Sequence, residues 1–183
     1  GLEALKTGTV SAEKLASAQK SAYEFTKKVF MNAAQQGMQS GARGATDDFV
    51  KNGVGDAFIA WENEAILAKE YSQNALEIVV PELTIKAEPP VAVVDQVVDA
   101  KGTRDIAEEY LKYLYSPEAQ ELIAKRHYRP SDPTVLAKYA ADFPETTFFT
   151  VDEIFGGWGR AQDEHFGDKG KYSQMQLEFV SQQ

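Results

Sequence analysis

The chain contains no cysteine. Disulfide staples, thiolate metal sites and cysteine nucleophiles are therefore excluded, and the chain fits either a reducing compartment or a secreted protein that needs no staples. Histidine is nearly absent too: only His127 and His165 occur, far apart in sequence, which is thin material for a metal centre. Positive charge is in deficit, with 19 Lys and Arg against 28 Asp and Glu and a formal net charge of −9. Nucleic acids and anionic membrane surfaces are poor partners for such a chain, because both need clustered Lys and Arg. Any anion site must work by local geometry rather than by a basic field, since screening confines the net charge's reach to about 8 Å. No apolar run approaches the ~20 residues of a membrane span. The first ten residues lack a charged-then-apolar leader pattern, so a targeting segment is expected to be absent or already removed.

What remains is ordinary globular material, 43% hydrophobic and 26% charged, enough to build a core. Ser11 opens a long helix in which Leu15, Ala18, Ala22, Phe25 and Val29 share a face, fading near Gln36-Gly37. After Ser40–Gly44 a short helix is predicted over Ala45–Lys51, ended by Asn52-Gly53. The compact apolar runs Ala57–Trp61 and Leu76–Val80 read as buried strands with a helix over Glu62–Tyr71 between them, and Val91–Val94 is a third apolar run. Pro89-Pro90 holds the chain extended, so the stretch from Pro81 reads as a crossing between two lobes. The second half reads as mostly helical. Thr103 caps a stripe of Ile106, Tyr110, Leu111 and Leu114. Ser116-Pro117-Glu118 starts a helix that buries Leu122 and Ile123, and Asp132-Pro133 starts another. A strand over Thr147–Thr150 leads to a capping box, Thr150 with Glu153, that opens a last long helix. In that helix Gly156, Gly157 and Gly159 are read as close-packing positions with Trp158 as anchor. Strands alternating with helices give an α/β fold class with a partly parallel sheet.

Two features carry chemistry. Ser40-Gly41-Ala42-Arg43-Gly44 lies just ahead of a helix. Glycines admit close backbone approach, and a helix start offers unpaired N–H groups and partial positive charge, so the segment suits an anion without any charged side chain. Taken alone, it reads first as an ordinary glycine-bearing loop ahead of a helix. Trp61, at the end of an apolar run, has an indole N–H that can only donate. Taken alone, it reads first as a core tryptophan.

Read together, the strings S-G-A-R-G-A-T-x-x-F from Ser40 and G-x-G-D-x-x-I-A-W-E-N-E-A from Gly53 resemble the sulfate and thiosulfate receptors of bacterial ABC importers. The resemblance continues through A-E-P-P-V-A-V-V-D from Ala87 and Y-L-K-Y-L-Y-S-P-E-A-Q-E-L-I-A-K from Tyr110. It ends through Y-R-P from Tyr128 and F-T-V-D-E-I-F-G-G-W from Phe149, covering residues 11–175 in the same order. The S-G-A-R-G and A-W-E-N-E-A strings are the specific ones, whereas the S-P-E-A-Q helix is shared by many periplasmic receptors.

The resemblance implies part of a type II periplasmic binding protein, two lobes joined by an extended crossover. Residues 1–85 would belong to a ligand-binding α/β lobe and 86–183 to the mostly helical return to the other lobe. It implies sulfate or thiosulfate capture in the periplasm for the permease subunits of an importer, without catalysis, cofactor or metal. It further implies that the Ala42 N–H and the Trp61 indole bind the anion, that Arg43 braces the ligating peptides, and that Ser40, Gly41 and Gly44 shape the loop. Receptors of this family are longer and begin with a strand-rich lobe whose loops supply further ligands. This chain alone is therefore expected to bind sulfate weakly or not at all, and to offer a face for self-association. Met31–Gln39 reads as helical where the family has a short strand. Two other classes fit parts of the sequence: a structural or interaction module with a vestigial anion site, and a glycoside hydrolase using Glu62 and Glu64 as paired acids on an extended segment, about 6.5–7 Å apart.

Overall fold

A computed structural model describes residues 2–182. In chain order the elements are α1 (Leu2–Lys6), α2 (Ala12–Gln35), α3 (Ala42–Lys51), α4 (Glu62–Tyr71), β1 (Leu83–Ile85), α5 (Asp95–Lys101), α6 (Arg104–Tyr113), α7 (Pro117–Ala124) and α8 (Pro133–Lys138). There follow β2 (Thr147–Phe149), α9 (Val151–Phe155), α10 (Trp158–Ala161), a single π-helical turn over Gln162–Phe166, and α11 (Lys171–Ser181). The chain divides into two compact units, one of residues 1–39, 83–87 and 147–183, the other of 40–82 and 88–146.

The first unit is held by aromatic side chains. Phe30 of α2 packs edge-on against Tyr172 and Phe179 of α11, with ring centroids 5.5 and 6.3 Å apart. Lys27, one turn earlier, pairs with Glu178. The sheltered face of α2 therefore runs through Tyr23, Lys27, Phe30, Met31 and Ala34, with Val29 of the predicted stripe also partly sheltered. The predicted stripe is displaced from it: Phe25 is 68% exposed and Leu15 lies out as well. Both stripes have helical spacing, and the partner helix, not the spacing, selects one of them. β1 and β2 form a parallel pair in the register Leu83↔Thr147, Thr84↔Phe148 and Ile85↔Phe149. The Thr150–Glu153 capping box is present in both directions. The helix it opens stops after five residues, because Gly156 and Gly157 both take positive φ (73° and 95°). These glycines end one helix and start the next; they are not packing positions inside a long helix, and Trp158 is mostly exposed rather than an anchor.

The second unit has a small core of Ala124, Val135 and Phe143, flanked by Ile66, Leu136 and Tyr139, so that α4, α7 and α8 meet there. The start signals act as expected: Ser116 Oγ accepts from Ala119 N, and Asp132 accepts from Thr134 N and Val135 N. The buried face of α7 carries Ala119, Gln120 and Ala124, while Leu122 is half exposed. Gln120 explains the preference. Its amide donates to Leu114 O at 2.7 Å, and its carbonyl oxygen accepts from Ser131 N at 2.7 Å and Asp132 N at 3.2 Å, which fixes the turn into α8. On α6, Ile106 and Tyr110 are exposed while Leu111 and Leu114 are partly buried, so the predicted stripe is half covered, and Thr103 stands at the cap position without a side-chain hydrogen bond.

The strand expected over Thr147–Thr150 forms as β2, whereas the expected strands are missing over Ala57–Trp61 and Leu76–Val80, and the apolar run Val91–Val94 has no regular structure either. Ile59, Val79, Val91 and Val94 are instead 78%, 81%, 64% and 62% exposed. An apolar run becomes a strand only when a neighbour takes up its backbone N–H and C=O groups, and no described segment does so here. Among the described residues the sheet is limited to two three-residue strands, and the chain is predominantly helical. No described helix is long and apolar enough to cross a membrane.

Candidate functional site

The Ser40–Gly44 segment is the start of a helix rather than a loop ahead of one. α3 begins at Ala42, three residues earlier than expected, with Gly41 at the cap. Gly41 has φ 105° and ψ 157°, a conformation that a side chain would resist. It contributes no side-chain cap. The N–H groups of Ala42, Arg43 and Gly44 therefore belong to the first turn, which lacks acceptors within the helix. Ala42 is exposed, and Gly44 sits inside the turn instead of shaping a loop.

Trp61 stands in the matching position on α4. It is the residue before the first turn, with extended φ −63° and ψ 150°, and no side chain caps that helix either. Its ring is 54% exposed, so it is neither a core tryptophan nor the end of a buried strand. Both sequence-predicted donors are thus presented at helix starts, where aligned peptide dipoles favour negative charge. Ser40 and Gly41 lie exposed just ahead of α3.

One ion pair joins the two helix starts. Arg43 Nε and Nη2 donate to Glu64 Oε2 and Oε1 at 3.0 and 2.9 Å, a fork-to-fork pair. Thr46 Oγ1 donates to Glu64 Oε2 at 2.6 Å, and Asn63 Nδ2 to Oε1 at 3.3 Å. Glu64 is only 4% exposed and Thr46 is fully buried. The Arg43 guanidinium hydrogen bonds hold the Glu64 carboxyl below the usual carboxylate range, with Thr46 and Asn63 adding to the effect against the opposing cost of burial. Glu62 forms a second such pair, accepting from Arg129 Nη2 at 2.6 Å and Nε at 3.0 Å. Arg129 also donates to Pro144 O at 3.0 Å and lies over the Phe143 ring, 5.4 Å from its centroid. Phe49 of α3 stacks on Phe58 of the connection between the helices at 5.3 Å.

These pairs overturn the premise of the hydrolase reading. Glu62 and Glu64 lie in the first turn of α4, not on an extended segment, and each carboxylate is taken by its own arginine. The histidines fall in different units: His127 Nε2 lies 3.2 Å from Glu70, and His165 packs edge-on against Phe155 at 5.5 Å. Sequence reasoning missed the roles of Glu64, Thr46 and Arg129. A signal for the first two was present: Arg43 and Thr46 are three apart on one helix, and two acids open the next. Nothing in the spacing points to Arg129, 67 residues from Glu62.

Residues 4–129 match the protein family described as bacterial extracellular solute-binding protein. The chain belongs to that family. A sulfate-binding protein of Escherichia coli (strain K12) is 51% identical over 158 residues, which cover 86% of this chain and 47% of that protein. A thiosulfate-binding protein of Pseudomonas aeruginosa is 44% identical over 155 residues, 84% of this chain and 46% of that one. A protein of Cucumis sativus named as a sulfate/thiosulfate import ATP-binding protein is 52% identical over 65 residues, 35% of this chain and 19% of its own length. The chain thus spans about half the length of the receptors it matches over most of its own.

Proposed function

We propose that this solute-binding chain carries part of a site for sulfate or the similar thiosulfate, and serves in delivering the anion to the permease subunits of an ABC importer in the periplasm. The observation that carries the proposal is the high identity, over most of the chain, to proteins that bind these two anions. The Ala42 N–H and the Trp61 indole are proposed as the anion's donors. Arg43 braces the first turn of α3, Gly41 and Gly44 let its backbone come close, and Ser40 leads into it. The assignment of residues 1–85 and 86–183 to two lobes of a type II periplasmic binding fold belongs to the same proposal.

The chemistry is coherent. Sulfate near neutral pH accepts hydrogen bonds and has none to give, so a site of pure donors satisfies it. Hydrogen phosphate carries a proton for which a site of pure donors has no acceptor, a mismatch that costs up to about 1–3 kcal/mol where water is excluded. The nearby arginines are already taken by Glu62 and Glu64, so neutral dipoles do the binding and the ion can leave for the transporter. Two hydrogen bonds to an ion contribute roughly 1.5–3 kcal/mol each, and after part of that sum offsets the cost of association the dissociation constant of this chain is expected to be millimolar or weaker.

Emission from Trp61, followed in a Trp158→Phe background during titration with sodium sulfate, tests the proposal. Saturation in the millimolar range, at least tenfold weaker with hydrogen phosphate, is expected. An unresponsive Trp61, or equal response to both anions, would remove the proposal's basis. A second role has an observation of its own: the exposed apolar runs at Ile59, Val79, Val91 and Val94 favour cover by further polypeptide. Self-association of the chain is proposed there.

A further inference from the structure

We propose that Glu64 is the positioning residue of the anion site: its buried carboxylate, gripped by Arg43 and Thr46 of α3, fixes the start of that helix against the start of α4. This rests on the reading of Ala42 and Trp61 as anion donors and deepens it. Glu64 touches no ligand in this scheme; an acid facing a dianion would oppose it.

Four observations support the assignment. First, the connection between the two helices, residues 52–61, has no regular structure and is mostly exposed, so it is a poor ruler for the separation of the donors. Second, Glu64 spans that gap from the third residue of α4 to the second and fifth of α3, with contacts at 3.0, 2.9 and 2.6 Å. Third, the Thr46 hydroxyl has one proton and two acceptors in reach, Ala42 O at 3.0 Å and Glu64 Oε2 at 2.6 Å. The shorter contact to the charged acceptor takes the proton, which aims the hydroxyl across the helix pair and not along its own backbone. Fourth, Arg43 is more than half exposed yet holds a fixed fork geometry, so its position is set by the buried acid rather than by packing. The acid also neutralises the guanidinium, keeping a full positive charge off an anion that must be released.

Glu64→Gln preserves shape and removes the charge. Titration of the full chain with inorganic sulfate is expected to show binding weakened by about tenfold, the loss of roughly one well-placed hydrogen bond to an ion. In the ligand-free variant the Ala42 amide and Trp61 indole resonances should both move while those of α11 stay in place. Unchanged affinity and resonances would overturn the proposal. So would tighter, salt-sensitive binding, which would make Glu64 a brake on Arg43 and not a positioner. If Glu64→Gln does not fold, Thr46→Val and Thr46→Ser make the same comparison. Valine should shift both resonances and serine restore them, and failure of either result counts against the proposal. Should the wild-type chain take up no sulfate, the anion reading falls, and the ligand-free resonances still decide whether Glu64 holds the two helix starts.

Discussion

Glu64 and Glu62 sit two residues apart in sequence and are each consumed by a different arginine, one from α3 and one from residue 129. Pairing of this kind has a pH signature. The folded-state pKa of Glu64 is depressed, chiefly by hydrogen bonding to Arg43. Its contribution to stability is therefore fully present above the unfolded value of about 4.3 and is lost as pH falls through the folded value. Urea unfolding of the wild type should show stability falling away on acidification below about pH 5, and Glu64→Gln should flatten that part of the profile. At neutral pH the variant should be less stable by about 1–3 kcal/mol, below the full cost of breaking a buried pair because Arg43 is half exposed. A variant as stable as wild type at pH 7, with the same acid limb, would mean that the carboxylate contributes little. The residue-level reading of the sequence identified Ala42, Arg43 and Trp61 as the informative positions. It could not assign Glu64, because a buried acid in the first turn of a helix looks, in sequence, like any solvated acid favouring the helix dipole.

Among the elements, helix starts were the most legible. Ser11, Ser116, Asp132 and Thr150 each accept a backbone N–H where expected. A cap is a local event, decided within three residues, so the sequence holds most of the information it needs, although Thr103 makes no cap bond on α6 and α3 starts three residues earlier than expected. Two of the three expected strands failed for the opposite reason, while the one over Thr147–Thr150 forms as β2. Ala57–Trp61 and Leu76–Val80 have strand composition, but a strand also needs a partner ladder, and that is not written in the run itself. The strands that do form, Leu83–Ile85 and Thr147–Phe149, are the ones that found each other. The C-terminal glycines give a clean test at this scale. Gly156 has φ 73°, and an added Cβ there would meet Arg160 Cδ at 3.2 Å, whereas Gly159 lies in α10 with open space around it. Gly156→Ala should lower the melting temperature, at about 1–2 kcal/mol for a left-handed alanine. Gly159→Ala should raise stability by about 0.5–1 kcal/mol. Equal effects of the two substitutions would show that the break between α9 and α10 is not set by backbone conformation.

For the whole molecule, the balance of charge and apolar exposure governs behaviour. A net charge of −9 opposes close approach of copies at low salt, while Ile59, Val79, Val91, Val94 and Ile106 favour it by exposing apolar side chains. Raising salt screens the first effect and leaves the second, so sedimentation should show association that increases with both protein concentration and ionic strength. A strictly monomeric chain at high salt would remove the proposed self-association. The same acidity bears on ligand capture. The chain repels anions at long range, so the proposed binding depends on converging neutral donors at the starts of α3 and α4. The most direct test is a titration of the isotopically labelled chain with sodium sulfate, following the Ala42 amide and the Trp61 indole by NMR. The account predicts that both resonances shift along one binding curve with a single dissociation constant. Two different curves, or a response confined to other residues, would contradict a shared anion at these two donors.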